Sequence, residues 1–473
     1  MLSLLSLGCD ARPLSDSAPM GSGGHPSAIV AAGAPSTNGD ETSAQQGLTE
    51  RWKQVWQPDA CGACHVSHYD QWASSGHGRS NQNLLYRAFE AWVAKDADNM
   101  AIMACRACHD PLAVSGAVYG EATQGAPSHG VDCAVCHNAV AGDDSSTSDV
   151  KLAGDFAVRG GWGQSTRGDV HAMRYSVLHD SARLESARLC KGCHGGGHVD
   201  QTITTFPEWA SSLYGRLGPY QETCNACHLP QTRHVSDAMA SDERPTGHDH
   251  RMVGGGAHYL GLADTSNHRR RAQRILNEAV GAQICVQRQD GSHVVEIILE
   301  NSRVGHSFSS SAHGLRRLWA EVIIYDLDDN VLLSSGVIDD ATPLATLAGT
   351  DVWRLDAEVL KANGQPTMRF WRAEMQRDRA LPAPSPQLSD SDDQDLHRRK
   401  IYGYEGPPPA YVSLRVKYRP IGLDVVDRLV ELELLDAEYR KDVPTFDLGF
   451  ARLDWAAEDG HACIPADHVE RFP

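Results

Sequence analysis

Two periodicities divide the chain. From about residue 280 onward the pattern changes period, and His293–Glu300, Trp319–Tyr325, Val331–Ser335, Thr367–Arg372 and Tyr411–Tyr418 read as strands. Asp326–Asn330 falls between two of them and lacks the following glycine and the late glutamate of a calcium loop, so a hairpin turn is expected there. Several strands separated by Gly, Pro and Asp clusters predict an antiparallel sandwich. Leu381–Pro386 and the acidic Ser389–Asp395 read as an exposed loop.

Upstream the signals are helical and short. In Gln82–Ala94, residues Leu84, Leu85, Phe89 and Trp92 recur at helical spacing, and glycine runs at Gly195–Gly197 and Gly254–Gly256 mark loops. Short helices and long loops with very little strand are expected. Residues 10–50, rich in Ser, Gly, Pro and Ala, cannot bury enough apolar surface to offset their ordering entropy and read as a flexible linker. The expected fold class is therefore multidomain. After a short segment 1–9 and the linker 10–50 come a mainly α and irregular domain at 51–275 and an all-β sandwich domain at 280–473.

Composition changes this picture mainly through charge and cysteine. A formal charge of −18 argues against nucleic acid and anionic lipid as partners and favours a basic protein partner. With 22% charged and 41% apolar residues and no apolar run of membrane-spanning length, the composition is that of a soluble globular protein. Of 13 cysteines, ten lie in five copies of one motif, Cys-x-x-Cys-His. The copies run from Cys61 and Cys64 to His65, Cys105 and Cys108 to His109, Cys133 and Cys136 to His137, Cys190 and Cys193 to His194, and Cys224 and Cys227 to His228. Two thiols at this spacing can add to the two vinyl groups of one haem while the adjacent imidazole ligates its iron. A redox dithiol or a zinc site needs no histidine directly after the second cysteine, and zinc ribbons pair their arms in even numbers. The motif predicts five covalently bound haem c groups that supply much of the core of 51–275.

Covalent haem attachment takes place outside the bacterial cytoplasmic membrane, so an exported protein is expected: periplasmic, an outer-membrane lipoprotein, or on the cell surface. Met1–Leu7 is apolar without a basic start and ends in Gly8-Cys9. This resembles a lipoprotein cleavage site, although Ser6 and Leu7 stand where that pattern has a leucine and then a small residue; lipid on Cys9 with membrane attachment, and simple export, both stay open. Cys285 and Cys463 either pair in a disulfide or remain buried free thiols.

Each iron also needs a sixth ligand or an open position. Five of the 23 histidines stand in the motifs, leaving 18, against nine methionines, so bis-histidine ligation is the default. His68, His77, His129, His171, His179, His198, His234, His248, His250 and His258 are the distal candidates, twice the number required.

The stretch from Cys64-His65 through Tyr69 and Trp72 to His77 resembles the opening of a family of multihaem cytochromes that includes the tetrahaem electron acceptor of hydroxylamine oxidoreductase. His129-Gly-Val-Asp-Cys133 is similar to that family's third motif, Pro207-Glu-Trp-Ala-Ser-Ser212 with Cys224–Pro230 to its last, and His250-Arg-Met-Val-Gly to a histidine before a paired-glycine turn. The resemblance implies His77, His129, His179 and His250 as distal ligands, with His171 ahead of His198 for the fifth place. Glu300-Asn-Ser-Arg-Val-Gly-His306-Ser-Phe308 followed by Arg316 resembles a sandwich domain appended to many members, where Gly-His-x-Phe precedes Pro-Thr-Gly; Ser309–Ser311 replaces that triplet, and His306 is read as structural.

Function follows from the ligands. The expected role is electron transfer through bis-histidine haems in an exported respiratory or redox chain, with redox proteins as partners. An enzyme acting on a small nitrogen or sulfur compound at one open haem is the alternative, although none of the five motifs carries the lysine that replaces the proximal histidine in related reductases. A subunit of an extracellular cytochrome filament, self-assembled through the sandwich domain, is the third reading.

Overall fold

The computed structural model describes residues 57–97, 99–114, 129–140, 151–153, 157–161, 173–195, 203–232, 247–262, 265–289, 291–301, 303–311, 314–347, 351–384 and 397–465. Cys9, the linker, His171, His198, His234 and the acidic run 389–395 lie outside the described residues.

The first part of the chain is built from short helices. Helices α1 (Pro58–Gly62), α2 (Val66–Ala73), α3 (Leu84–Asp96), α4 (Asn99–His109), α5 (Cys133–His137), α6 (Arg188–His194), α7 (Thr205–Ser211), α8 (Cys224–His228) and α9 (Thr265–Leu276) follow one another with loops and two- or three-residue strands between. Helix α3 shows why the periodicity was readable. Asn83 caps it by accepting from the Leu85 and Tyr86 amides, and Leu85, Ala88, Phe89, Trp92 and Val93 fall on one buried face. Burying each large apolar side chain on that face contributes roughly 1.5–3 kcal/mol.

The second part is two antiparallel sheets. Strands β1 (Val280–Gln289) and β2 (Ser292–Asn301) form a hairpin; β3 (Arg317–Tyr325), β4 (Val331–Ser335), β5 (Trp353–Arg354), β6 (His397–Glu405), β7 (Tyr411–Arg419), β8 (Phe446–Ala456) and β9 (Cys463–Pro465) complete them. One sheet runs β6-β2-β1-β9 and the other β4-β3-β7-β8, with β5 also paired to β3. Alternate residues point inward: Val295, Ile297 and Leu299 on β2, Val412, Leu414, Val416 and Tyr418 on β7, and Leu448, Leu453 and Trp455 on β8. These residues of both sheets belong to one contiguous buried cluster. Cys285 on β1 and Cys463 on β9 are register partners and form a disulfide. Asp326 turns the β3–β4 hairpin by accepting from the Asp328 and Asn330 amides, as the sequence predicts.

Two expectations are corrected. Thr367–Arg372 is not a strand: Phe370–Arg372 makes a tight 3-10 turn, and the short strands lie beside it at Glu358–Leu360 and Met375–Arg377. Its neighbouring aromatics are used against a helix instead of a sheet face, since Phe370 packs on Phe89 and Trp371 on Trp92, with ring centres 5.4 and 5.3 Å apart. The C-terminal part is also not all-β, because α10 (Leu423–Glu431) buries Leu423, Val425, Val426 and Leu429 in the common core. Nor does the core stop at the boundary drawn at 275–280. Leu85, Ala88, Phe89, Trp92, Tyr259 and Leu260 join it, Trp371 Nε1 donates to Asp96 at 3.1 Å, and the Tyr418 hydroxyl donates to Gly255 O at 2.7 Å.

Candidate functional site

Each motif occupies one helical turn. Cys105–His109 closes α4, Cys190–His194 closes α6, and Cys133–His137 and Cys224–His228 are the whole of α5 and α8. Cys61–His65 runs from the end of α1 to the residue that starts α2. One turn places positions i, i+3 and i+4 on the same side, so two thiols and an imidazole converge. Two of the turns start where they do because the residue before the first cysteine caps them: Asp132 accepts from the Val135 amide at 3.1 Å and Thr223 from the Ala226 amide at 3.2 Å. Burial pushes the Asp132 carboxyl up to about 7.

The motif imidazoles are oriented by main-chain carbonyls. Nδ1 lies 3.2 Å from Ser80 O in His109, 2.8 Å from Arg159 O in His137 and 3.0 Å from Val253 O in His228. A proton on Nδ1 donating to a carbonyl leaves Nε2 as the lone-pair nitrogen, which is the arrangement of a metal-ligating histidine. Ser80 also ties two motif segments together, its hydroxyl bridging His77 O and His109 O at 2.8 Å each.

Several imidazoles oppose one another. Ring centres lie 6.3 Å apart for His77 and His194, 6.3 Å for His137 and His250, and 6.5 Å for His228 and His306. The planes are perpendicular in the first pair, at 86°, and nearly parallel in the others, at 18° and 12°. His250 directs Nδ1 to His248 O at 2.9 Å, and His77 Nδ1 lies 2.7 Å from Met252 Sδ, so both keep Nε2 for the opposite ring. Desolvation is the main cause holding His77 and His250 down to about 3 and His194 and His306 to about 4; all are neutral at neutral pH, the form that binds a metal.

Other predicted residues are placed differently. His179 stacks beside His137 at 5.3 Å with its Nε2 3.0 Å from Cys136 O. His129 directs Nε2 to Gln57 Oε1 at 2.9 Å. His68 meets His250 edge-on at 4.5 Å, His248 Nδ1 contacts Leu229 O, and His258 sits between Tyr259 and His268. His306, read as structural from the sequence, stands opposite His228, with ring centres 6.5 Å apart and planes 12° from parallel.

The surroundings fit a large apolar group. Helices α4 and α6 contain no buried residue, although α4 carries Met100, Ile102 and Met103, and Met100 is 75% exposed. The apolar cluster proper to this part is small: Leu112, Val131, Ala134, Val135, Ala139, Leu152 and Leu178. The motifs also touch one another out of sequence order. The motif cysteines Cys61 and Cys133, Cys108 and Cys193, and Cys190 and Cys224 lie beside one another, bringing the first motif to the third, the second to the fourth and the fourth to the fifth.

Residues 60–138 match the family model described as cytochrome c554 and c-prime. The fold is similar to that of a penta-heme cytochrome c552 from Thermochromatium tepidum, at 16% identity and a TM-score of 0.53, covering 84% of this chain and 97% of that one. No curated protein matches. The five motifs and the family match over residues 60–138 point to covalently bound haem c, on a fold shared with that penta-heme cytochrome. No helix among the described residues is long and apolar enough to cross a membrane.

Proposed function

We propose that the chain is a pentahaem c-type cytochrome that transfers electrons through bis-histidine haems in an exported respiratory or redox chain. The observation that carries this reading is the opposition of imidazoles across gaps of one metal ion. Metal–imidazole bonds of about 2.0 Å, and about 1.1 Å from ring nitrogen to ring centre, put two rings on opposite sides of one iron roughly 6.3 Å apart. His77 with His194, and His137 with His250, stand at that separation. The ten motif cysteines would hold the groups by thioether bonds, and His65, His109, His137, His194 and His228 would ligate from one side. His129, His179 and His171 remain the assigned distal candidates for other irons. Bound haem supplies a one-electron couple, and two imidazoles on one iron set it low compared with methionine ligation. The protein's own work is to fix the imidazoles through Nδ1, keep them neutral by burial, and bring the motifs into contact so that neighbouring sites are close.

Export is supported by the Cys285–Cys463 disulfide, which an oxidising compartment permits. The two sheets are read as a sandwich, and the charge of −18 favours a basic redox partner. The test is spectroscopy of the purified holoprotein: five haems by pyridine haemochrome, all low-spin and unchanged by cyanide or nitrite. A high-spin haem that binds either ligand, with turnover of nitrite, hydroxylamine or tetrathionate, would establish the enzyme reading instead.

A further inference from the structure

We infer that His306, from the loop between β2 and β3, is the sixth ligand of the iron held by His228, so that the sheet region completes the fifth haem site. This rests on the bis-histidine reading above and deepens it. The ring centres lie 6.5 Å apart with planes 12° from parallel, close to the roughly 6.3 Å that one intervening iron requires. Both rings are oriented the same way. Nδ1 of His228 faces Val253 O at 3.0 Å and Nδ1 of His306 faces Ser307 O at 3.0 Å, and neither Nε2 makes a hydrogen bond among the described residues.

The loop is held on both flanks. Asn301 donates to His306 O at 2.7 Å and accepts from the Val304 amide at 2.9 Å, which closes the turn around the histidine. The Ser307 amide donates to Glu208 of α7 at 3.0 Å, and the Ser310 hydroxyl meets that of Thr205 at 2.7 Å. Phe308 and Leu381 exchange two main-chain bonds of 2.8 Å. Helix α7 is the element just before the fifth motif, and Trp209 on it donates to Glu222 O, two residues before Cys224. His306 and His228 are therefore fixed to the same short helix from opposite sides. By contrast His179, with its ring centre 5.3 Å from His137 and its Nε2 on a carbonyl, is too close for a metal between them.

The test compares wild-type holoprotein with His306→Ala and His306→Met by electron paramagnetic resonance and magnetic circular dichroism. In His306→Ala about one fifth of the low-spin ferric intensity should become high-spin, and the loss should fall in a rhombic component, because near-parallel imidazole planes give rhombic signals. Added imidazole should restore it. His306→Met should keep that haem low-spin, add a methionine–iron charge-transfer band and raise one potential of the set. If His306→Ala folds poorly, the methionine variant decides alone. Unchanged spectra in both variants overturn the inference while leaving the bis-histidine reading intact; a wild type that lacks five low-spin haems overturns that reading itself.

Discussion

Removing the Cys285–Cys463 bridge gives the most quantitative test of how the sheet region is held. The bridge closes a loop of 178 residues, since it joins the first strand of one sheet to the last strand described. In the chain-entropy treatment, a loop of that length raises the free energy of the unfolded state by about 5 kcal/mol. Cys285 is itself buried at 9% exposure, so Cys285→Ala also loses a small packing term, on the order of 1 kcal/mol. The double variant Cys285→Ala/Cys463→Ala should therefore unfold with about 5–6 kcal/mol less stability. For a cooperative unit of nearly 200 residues that is a fall of roughly 10–20 °C in Tm. Far-ultraviolet circular dichroism in the strand region, followed through urea and thermal unfolding with and without reductant, measures it. A difference below about 1 kcal/mol would refute the reasoning, because it would mean that the unfolded chain already holds these strands together.

Trp371→Ala should cost about 3 kcal/mol in urea unfolding, since the side chain packs on Trp92 and donates to Asp96, and it should loosen α3 together with the sheets. Ser80→Ala, which leaves the Val131 amide without its 3.0 Å acceptor and frees His77 O and His109 O, should cost roughly 1–3 kcal/mol and shift the midpoints of a redox titration. Asp132→Asn keeps an oxygen for the Val135 amide but removes the buried carboxyl. Its folded value of about 7 lies above the ordinary 3.8, so the folded state binds the proton more tightly and loses stability as pH rises through that window. The substitution should therefore raise Tm more at pH 8 than at pH 5, as calorimetry would show. Chain produced without haem attachment should retain slow amide exchange in the two sheets and in α3, α9 and α10, which share one core, and lose it in α4 and α6, which contain no buried residue.

What was legible in the sequence was what is local. Trp319–Tyr325 and Tyr411–Tyr418 were readable as strands, and they are adjacent in one sheet, while the cap and apolar stripe of α3 marked a helix, because such signals act over a few residues. Thr367–Arg372 failed on the same rule: its neighbouring aromatics Phe370 and Trp371 face a helix from the other part of the chain, and no local pattern distinguishes that from a sheet neighbour. The short helix Leu423–Glu431 was missed because Val425, Val426 and Val430 argue for strand locally, while burial against the core decides for helix.

The site divides along the same line. Attachment is local: two thiols and one imidazole in a single turn are dictated by five consecutive residues, so all five motifs could be read directly. The opposition of imidazoles is not. His77 meets His194, His137 meets His250 and His228 meets His306 through the packing of separate helices and of a strand loop, and surplus histidines cannot be ranked by spacing. Resemblance favoured His77 and His250, which lie in such pairs, while His306 entered with the appended sandwich region and was read as structural. The contacts that would have argued otherwise, from Ser307 to Glu208 and from Trp371 to Asp96, join residues about 100 and 275 positions apart. A boundary drawn where the hydrophobic period changes marks a change of local structure; it does not mark a break in the core.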